Sequence, residues 1–432
     1  MNRRAYLTLC GMAATVSGCL SSGSGDEEPT VSCEMSTSPS EDNSDGPSGS
    51  AWPTFQYDIH NTGYSPNASP PEGCIEVQWT YDFAENVRQT PQRIQRDEYS
   101  YNMPASVSVI DGTVYVCGSQ DSGELSVLRA IDARAGEEQW WHTVRRGNVS
   151  PPTIIDNTIY IASGNVMQAV DLRSRQERWH FEPDTPSPPA ARIAAAPRFD
   201  SGTLYFGSTD GIVYALDAAT GEKRWQFAGV ARNPHRSADD PYASRFRGAV
   251  AVADNTVFAG SDDRHLYALD GATGEKRWQF SGDDRLDRAP TVGTEIVYAS
   301  GSNAKLYALS SVDGTVRWTF DRGTGIEASP ALANGSVYVP TGDSLESLSL
   351  YALNAATGRV EWKAPIGIPE SGPCIAGGTI YIGDQSGLLA LDTATGEDQW
   401  YVETGNGIYS SAAIIDGAVY VTDNEGAVFG LW

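Results

Sequence analysis

The side chains able to do chemistry are few and scattered. The five histidines, His60, His142, His180, His235 and His265, include no pair at metal-ligand spacing. Cysteines stand at 10, 19, 33, 74, 117 and 374 with no C-x-x-C, so no metal framework can be read. A nucleophile elbow, a phosphate-cradling loop and an H-E-x-x-H helix are missing from the sequence. What does concentrate is arginine. Arg232, His235, Arg236, Arg245 and Arg247 share the stretch Ala228–Gly248, and Arg145, Arg146, Arg192, Arg285 and Arg288 lie in comparable stretches on either side. A guanidinium's planar fork donates bidentately to a carboxylate, so the pattern suits an acidic protein partner or an anionic ligand. The competing reading is that long loops use these arginines for internal carboxylate pairs.

The elements that must position them repeat. Seven units carry an alanine, an acidic or small polar residue two positions on, and a tryptophan eight further: Ala130-Ile-Asp132 with Trp140, Ala169 with Trp179, Ala215 with Trp225, Ala268 with Trp278, Ala308 with Trp318, Ala352 with Trp362, and Ala390 with Trp400. Gly136, Gly221, Gly274, Gly314, Gly358 and Gly396 follow the polar position by four; the second unit has Arg175 there. Before each unit an aliphatic–aromatic pair such as Val257-Phe258 or Val297-Tyr298 follows a hairpin signal such as Asp254-Asn255. One unit reads as four strands, Ala249–Ala253, Thr256–Gly260, Leu266–Asp270 and Arg277–Phe280. The carboxylate of Asp217-Ala-Ala-Thr-Gly221 caps a turn, the glycine supplies its positive φ, and the tryptophan packs on the neighbouring sheet. A period near 40 residues means stacked units.

Eight aromatic second strands occur, the last being Val419-Tyr420, against seven such tryptophans. The eighth unit reaches its third strand at Phe429-Gly-Leu-Trp432, and Ile75–Phe83, with Trp79, reads as its outer strand. The expected fold is all-β, an eight-bladed propeller of four-stranded antiparallel blades. Its ring closes when the N-terminal strand completes the last blade, which leaves no open edge at the seam.

The repeat resembles the pyrroloquinoline-quinone-type propeller family, whose docking motif is Ala-x-Asp-x-x-Thr-Gly-(Lys/Glu)-x-x-Trp. Ala215–Trp225, Ala268–Trp278 and Ala390–Trp400 match it almost residue for residue. The resemblance implies one of two roles. Quinoprotein dehydrogenases bind the quinone and calcium, with a vicinal cysteine pair beneath the quinone; BamB-type lipid-anchored propellers bind no cofactor and hold partners. This sequence has no adjacent cysteines and lacks the long insertions of the enzymes. The expectation is therefore a non-catalytic scaffold with neither quinone nor calcium, a quinone-dependent dehydrogenase being the alternative.

Four segments are expected. Residues 1–18 read as an export signal, with Arg3-Arg4 resembling a twin-arginine start and Val16-Ser-Gly-Cys19 a lipoprotein box, which makes Cys19 the lipid anchor. Residues 19–50 are a disordered acidic tether whose Leu20–Ser50 stretch holds no Lys or Arg. Residues 51–74 lead in and are expected to pack across the ring as a hydrophobic latch, and 75–432 form the propeller. These features place the protein on the outer face of the cell membrane, held by lipid alone. Net charge is −25, and only four of the 30 basic residues are lysines (Lys223, Lys276, Lys305, Lys363). That balance suits a haloarchaeal, high-salt setting, where an outer membrane does not exist, and speaks against nucleic acid as a partner. The interblade loops differ from this acidic background, with 13 arginines against 14 acidic residues. They form the candidate binding face of an expected monomer.

Overall fold

The computed structural model describes residues 51–71, 75–83, 101–102, 106–120, 125–145, 147–183, 192–193, 195–229, 245–301, 305–322, 325–326, 328–344, 347–369 and 371–432. The signal, Cys19 and the tether lie outside them, as do Arg146, Arg232, His235 and Arg236. All the described residues fall in one compact unit. Its sheets are eight blades, numbered here by their innermost strands: Ser108–Ile110, Thr153–Ile155, Arg198–Asp200, Ala251–Ala253, Thr291–Val292, Ala331–Ala333, Cys374–Ala376 and Ala413–Ile415. These strands neighbour one another in chain order right round the axis, the eighth meeting the first.

Blade 4 shows why the sequence folds this way. Ala251–Ala253, Thr256–Gly260, His265–Asp270 and Lys276–Ser281 pair antiparallel in succession. Its second strand, Thr256–Gly260, is buried at every residue, because both faces of a blade are covered by neighbouring blades. The outer strand is mostly exposed. The motif alanine is small because it sits opposite the tryptophan: Ala268 pairs with Trp278, and the register shifts by a bulge immediately after. In blade 8 Gly430 takes that place opposite Trp79, and a Cβ there would lie 2.6 Å from the indole Nε1.

Six of the tryptophans, Trp79, Trp179, Trp225, Trp278, Trp318 and Trp362, then cover a glycine of the next blade. An added Cβ on Gly221 would fall 2.5 Å from Trp179, and Gly274 and Gly358 meet Trp225 and Trp318 at 2.6 Å. The glycine thus serves twice, holding a φ of +74° at Gly221 and letting an aromatic face lie against the backbone. The turn itself is closed by Asp217 Oδ1, which accepts from the N–H groups of Ala219 (3.0 Å) and Thr220 (2.9 Å).

The ring closes as the sequence predicts. Val77–Asp82 pairs antiparallel with Ala427–Leu431, Thr80 facing Phe429. The lead-in segment is not a hydrophobic latch alone. Trp52 is buried and stacks near Tyr57, but most of the attachment is polar. Ala51–Trp52 adds a strand to blade 1 and Tyr64–Ser65 a parallel strand to blade 7. Between and beyond them, the carbonyls of Pro53, Ile59, His60, Thr62, Gly63 and Ser69 accept N–H groups of Ile154, Val252, Val292, Leu332, Ile375 and Gly417. Blade 3 joins through Arg198, which is fully buried and donates to Thr54 Oγ1 (3.0 Å), the Phe55 carbonyl (3.0 Å) and Asn61 Oδ1 (2.7 Å). One segment therefore touches all eight blades at the axis, while the hairpin turns joining first to second and third to outer strands lie on one side of the ring.

Candidate interaction face

Antiparallel succession puts two kinds of loop together on the opposite side of the ring: those joining second to third strands, and those joining one blade to the next. In blades 3 to 5 they are hydrogen-bonded into a continuous belt. Thr209 N donates to the Arg192 carbonyl (2.9 Å) and Phe246 N to that of Ser208 (3.1 Å). Asp262 N donates to the Arg245 carbonyl (2.9 Å), and Leu286 N to that of Ser261 (3.1 Å). The belt brings Arg192, Arg245, Arg247, Arg285 and Arg288 into one sector. Arg192 is exposed and the other four are half-buried.

These arginines are not equivalent. Arg247 Nε lies 3.1 and 3.0 Å from the two oxygens of Asp262, a carboxylate only 4% exposed. Burial pushes the Asp262 carboxyl above its usual range, and Arg247 pulls it back only in part. Arg247 is therefore committed to neutralising a buried charge. Beside it Asp263, also buried, accepts from Tyr267 Oη (2.6 Å) and the His265 N–H (3.1 Å). Asp210 occupies the corresponding position in blade 3, where it accepts from Tyr214 Oη (2.8 Å). Burial raises its carboxyl as well. Arg288 keeps a buried Nε with no hydrogen-bond partner.

Arg145 stands apart. It forks onto Glu177 at 3.1 and 3.0 Å, and its Nη2 lies 2.8 Å from His180 Nδ1. Of the arginines read from the sequence, Arg145 and Arg247 thus have internal carboxylate partners. Arg192, Arg285 and Arg288 are gathered at the surface. Reading the sequence missed the buried cations Arg129 and Arg198. Arg129 is 1% exposed and donates to Tyr81 Oη (2.9 Å) and to Glu138, with its guanidinium carbon 5.3 Å above the Phe83 ring. The signal was present in the repeat: the residue before the motif alanine is Tyr214, Tyr267, Tyr307 and Tyr351 in blades 3 to 6, but Arg129 in blade 1.

Among the described residues the donor set is a poor fit to a quinone–calcium centre. Cys117 lies in a strand of blade 1 and Cys374 in blade 7, both buried free thiols, and burial pushes the Cys374 thiol up to about 12. Among the described residues no three His, Cys, Asp or Glu side chains are placed to hold a metal ion.

Known proteins similar to this chain differ in function. The family described as Outer membrane protein assembly factor BamB matches residues 76–241 and again 230–431. The serine/threonine-protein kinase AfsK of Streptomyces griseus is 40% identical over 133 residues, 28% of this chain but 15% of the kinase. The outer membrane protein assembly factor BamB of Xanthomonas campestris is 31% identical over 255 residues, covering 55% of this chain and 61% of that protein. This chain thus spans less than two thirds of either relative. Among solved structures, the quinohemoprotein alcohol dehydrogenase of Comamonas testosteroni superposes with a TM-score of 0.72 at 17% identity, covering 88% of this chain and 80% of that one. That likeness is one of fold.

Proposed function

For a chain that belongs to the Outer membrane protein assembly factor BamB family, we propose a non-catalytic role: an exported propeller that holds a protein partner, or an anionic ligand, on its interblade-loop face. The lipid on Cys19 tethers it to the outer face of the membrane after twin-arginine export, and the acidic tether spaces the ring from the surface. The protein acts as a monomer in brine, without quinone, calcium or nucleic acid.

The observation that carries this reading is the belt of loops in blades 3 to 5. It gathers Arg192, Arg285 and Arg288 on a rigid scaffold in a chain whose net charge is −25. At ~1 M salt the Debye length is about 3 Å, so contact pairing and shape must supply the affinity, not long-range steering. Arg247 is excluded from the test because its loss would leave Asp262 buried and unpaired. Replacing Arg192, Arg232 and Arg236 together by Ser should abolish partner capture from native membranes at molar salt and leave melting nearly unchanged. Undiminished capture would remove the loop face from the mechanism. The competing dehydrogenase reading is supported by the fold likeness. It would prevail if purified protein loaded with quinone and calcium reduced a dye in the presence of alcohols.

A further inference from the structure

An asparagine two residues before a serine or threonine, with no proline between, is the acceptor signal for N-linked sugar in an exported protein. The sequence has three such signals: Asn67-Ala-Ser69, Asn148-Val-Ser150 and Asn334-Gly-Ser336. A chain exported already folded, as the twin-arginine route proposed above implies, meets a sugar transferase as a finished surface. The amide, the hydroxyl two residues on and the residue between must then all stand within reach.

Two of the three fail this condition. Ser150 is fully buried, its Oγ donating to the Pro151 carbonyl (3.1 Å) and accepting from the Ala162 N–H (3.0 Å). Asn67 and Ser69 are exposed, but Ala68 between them is 5% exposed and packs in the core. The Ser69 carbonyl accepts the Gly417 N–H at 3.0 Å, and a Cβ on Gly377 would fall 2.2 Å from Pro70 Cδ. Lifting this segment into an enzyme would break its ties to blades 7 and 8.

Asn334 stands clear. Asn334-Gly335 is the two-residue turn joining the first and second strands of blade 6, with Ala333 paired to Ser336 and φ angles of +49° and +84°. Positive φ at both central residues is what a right-twisted hairpin requires of its tightest turn. Both residues are exposed, and no atom lies within 4 Å of a Cβ built on Gly335. Ser336 is half-buried, its Oγ donating to the exposed Glu361 carboxylate (2.5 Å). The Asn334 amide oxygen accepts from Tyr64 Oη (3.4 Å), and among the described residues its Nδ2 has no partner. The Ala355 N–H donates to the Gly335 carbonyl at 2.8 Å and holds the turn in shape.

We infer that Asn334 is the site of N-linked glycosylation in the mature, folded protein. The donor is a sugar carried on a polyisoprenoid phosphate. Asn334 Nδ2 bonds to the sugar's C1, the C1–O bond to phosphate breaks, the lipid phosphate leaves, and the amide nitrogen gives up one proton to solvent. The assignment rests on the exported state proposed above. The sugar stands on the hairpin-turn side of blade 6, away from the loops that carry Arg192, Arg285 and Arg288. A bulky, hydrated group there keeps that side out of contact and leaves the loop face free for a partner.

The test is mass spectrometry of the full protein purified from its native membranes, read on the intact chain and on its proteolytic peptides. The peptide bearing Asn334 should carry at least one added sugar unit, and the peptides bearing Asn67 and Asn148 none. Asn334→Gln should remove the whole increment. Ser336→Ala, which leaves Asn334 and Gly335 in place, should remove it as well, and Ser336→Thr should keep it. A bare Asn334 peptide, or sugar on Asn67 or Asn148 in its stead, overturns the assignment. The intact mass also reports whether residues 1–18 are lost. A processed chain without sugar overturns the acceptor site and leaves export standing, whereas an unprocessed one removes the export reading and this assignment with it.

Discussion

Gly221→Ala tests whether the seam glycines are required by backbone conformation alone or also by the tryptophan that lies on them. Gly221 has φ +74°, where an L-residue is disfavoured by ~1–2 kcal/mol. A methyl group there would also stand 2.5 Å from Trp179 Cε3 and 2.6 Å from Cδ2. The ring cannot retreat freely, since its Nε1 is fixed to the Ala218 carbonyl at 3.0 Å. Overpacking of this kind costs ~1–3 kcal/mol, so the expected total is about 2–5 kcal/mol, a substantial part of the ~5–15 kcal/mol typical of a folded domain. Gly335→Ala is the control. Its φ is +84°, but no atom lies within 4 Å of the added carbon, so only the backbone cost applies. Equilibrium unfolding in guanidinium at fixed molar salt measures both. Equal losses in the two variants would refute the claim that the aromatic face sets the residue.

Three further outcomes follow from the same geometry. A fragment spanning 84–432 lacks both the half-buried Trp79 and the axial segment; losing the tryptophan's packing alone costs on the order of 3 kcal/mol, so the fragment should aggregate, and a stable monomer would show another closure. Hydrogen bonds from Arg224 and Thr220 hold the Asp217 carboxyl down at about 2, and Arg277 and Thr273 do the same for Asp270, against an ordinary 3.8. Their contribution is therefore complete above pH 4 and lost as pH falls toward 2, so Arg224→Gln with Arg277→Gln should raise the midpoint of acid unfolding, and an unmoved midpoint would deny these turns a role. Cys19→Ser should shed the protein into the medium or leave its precursor uncleaved; a processed, membrane-bound variant would end the anchor assignment.

The architecture was legible because its cause is local and repeated. The alanine and tryptophan represented by Ala268 and Trp278 recur in seven units, the glycine represented by Gly274 in six and the aspartate represented by Asp270 in five, so the period survives substitution at any single position. Closure by Val77–Asp82 was legible by subtraction, since one outer strand and one tryptophan were unaccounted for. The axial segment was read less well. Nothing in Thr54, Gln56 or Asn61 announces burial, and Gln56 and Asn61 are fully buried only because eight blades converge on them. The loop arginines were seen as a group, but their division was not. Arg247 is bound to a buried Asp262 and Arg192 is exposed, a difference set by loop packing that composition does not encode.

The pairing of Val77–Asp82 with Ala427–Leu431 also bears on how the molecule is made. Contacts this distant in sequence form slowly, since loop-closure entropy must be met before they bring any reward. The strand that completes blade 8 is synthesised first, yet it finds its place only after the whole ring has emerged. Until then a sheet edge stays open at each side of the gap, the condition in which nascent β-proteins aggregate. Ring completion becomes a single late event, and an export route that accepts only finished molecules would withhold every chain in which it had not occurred.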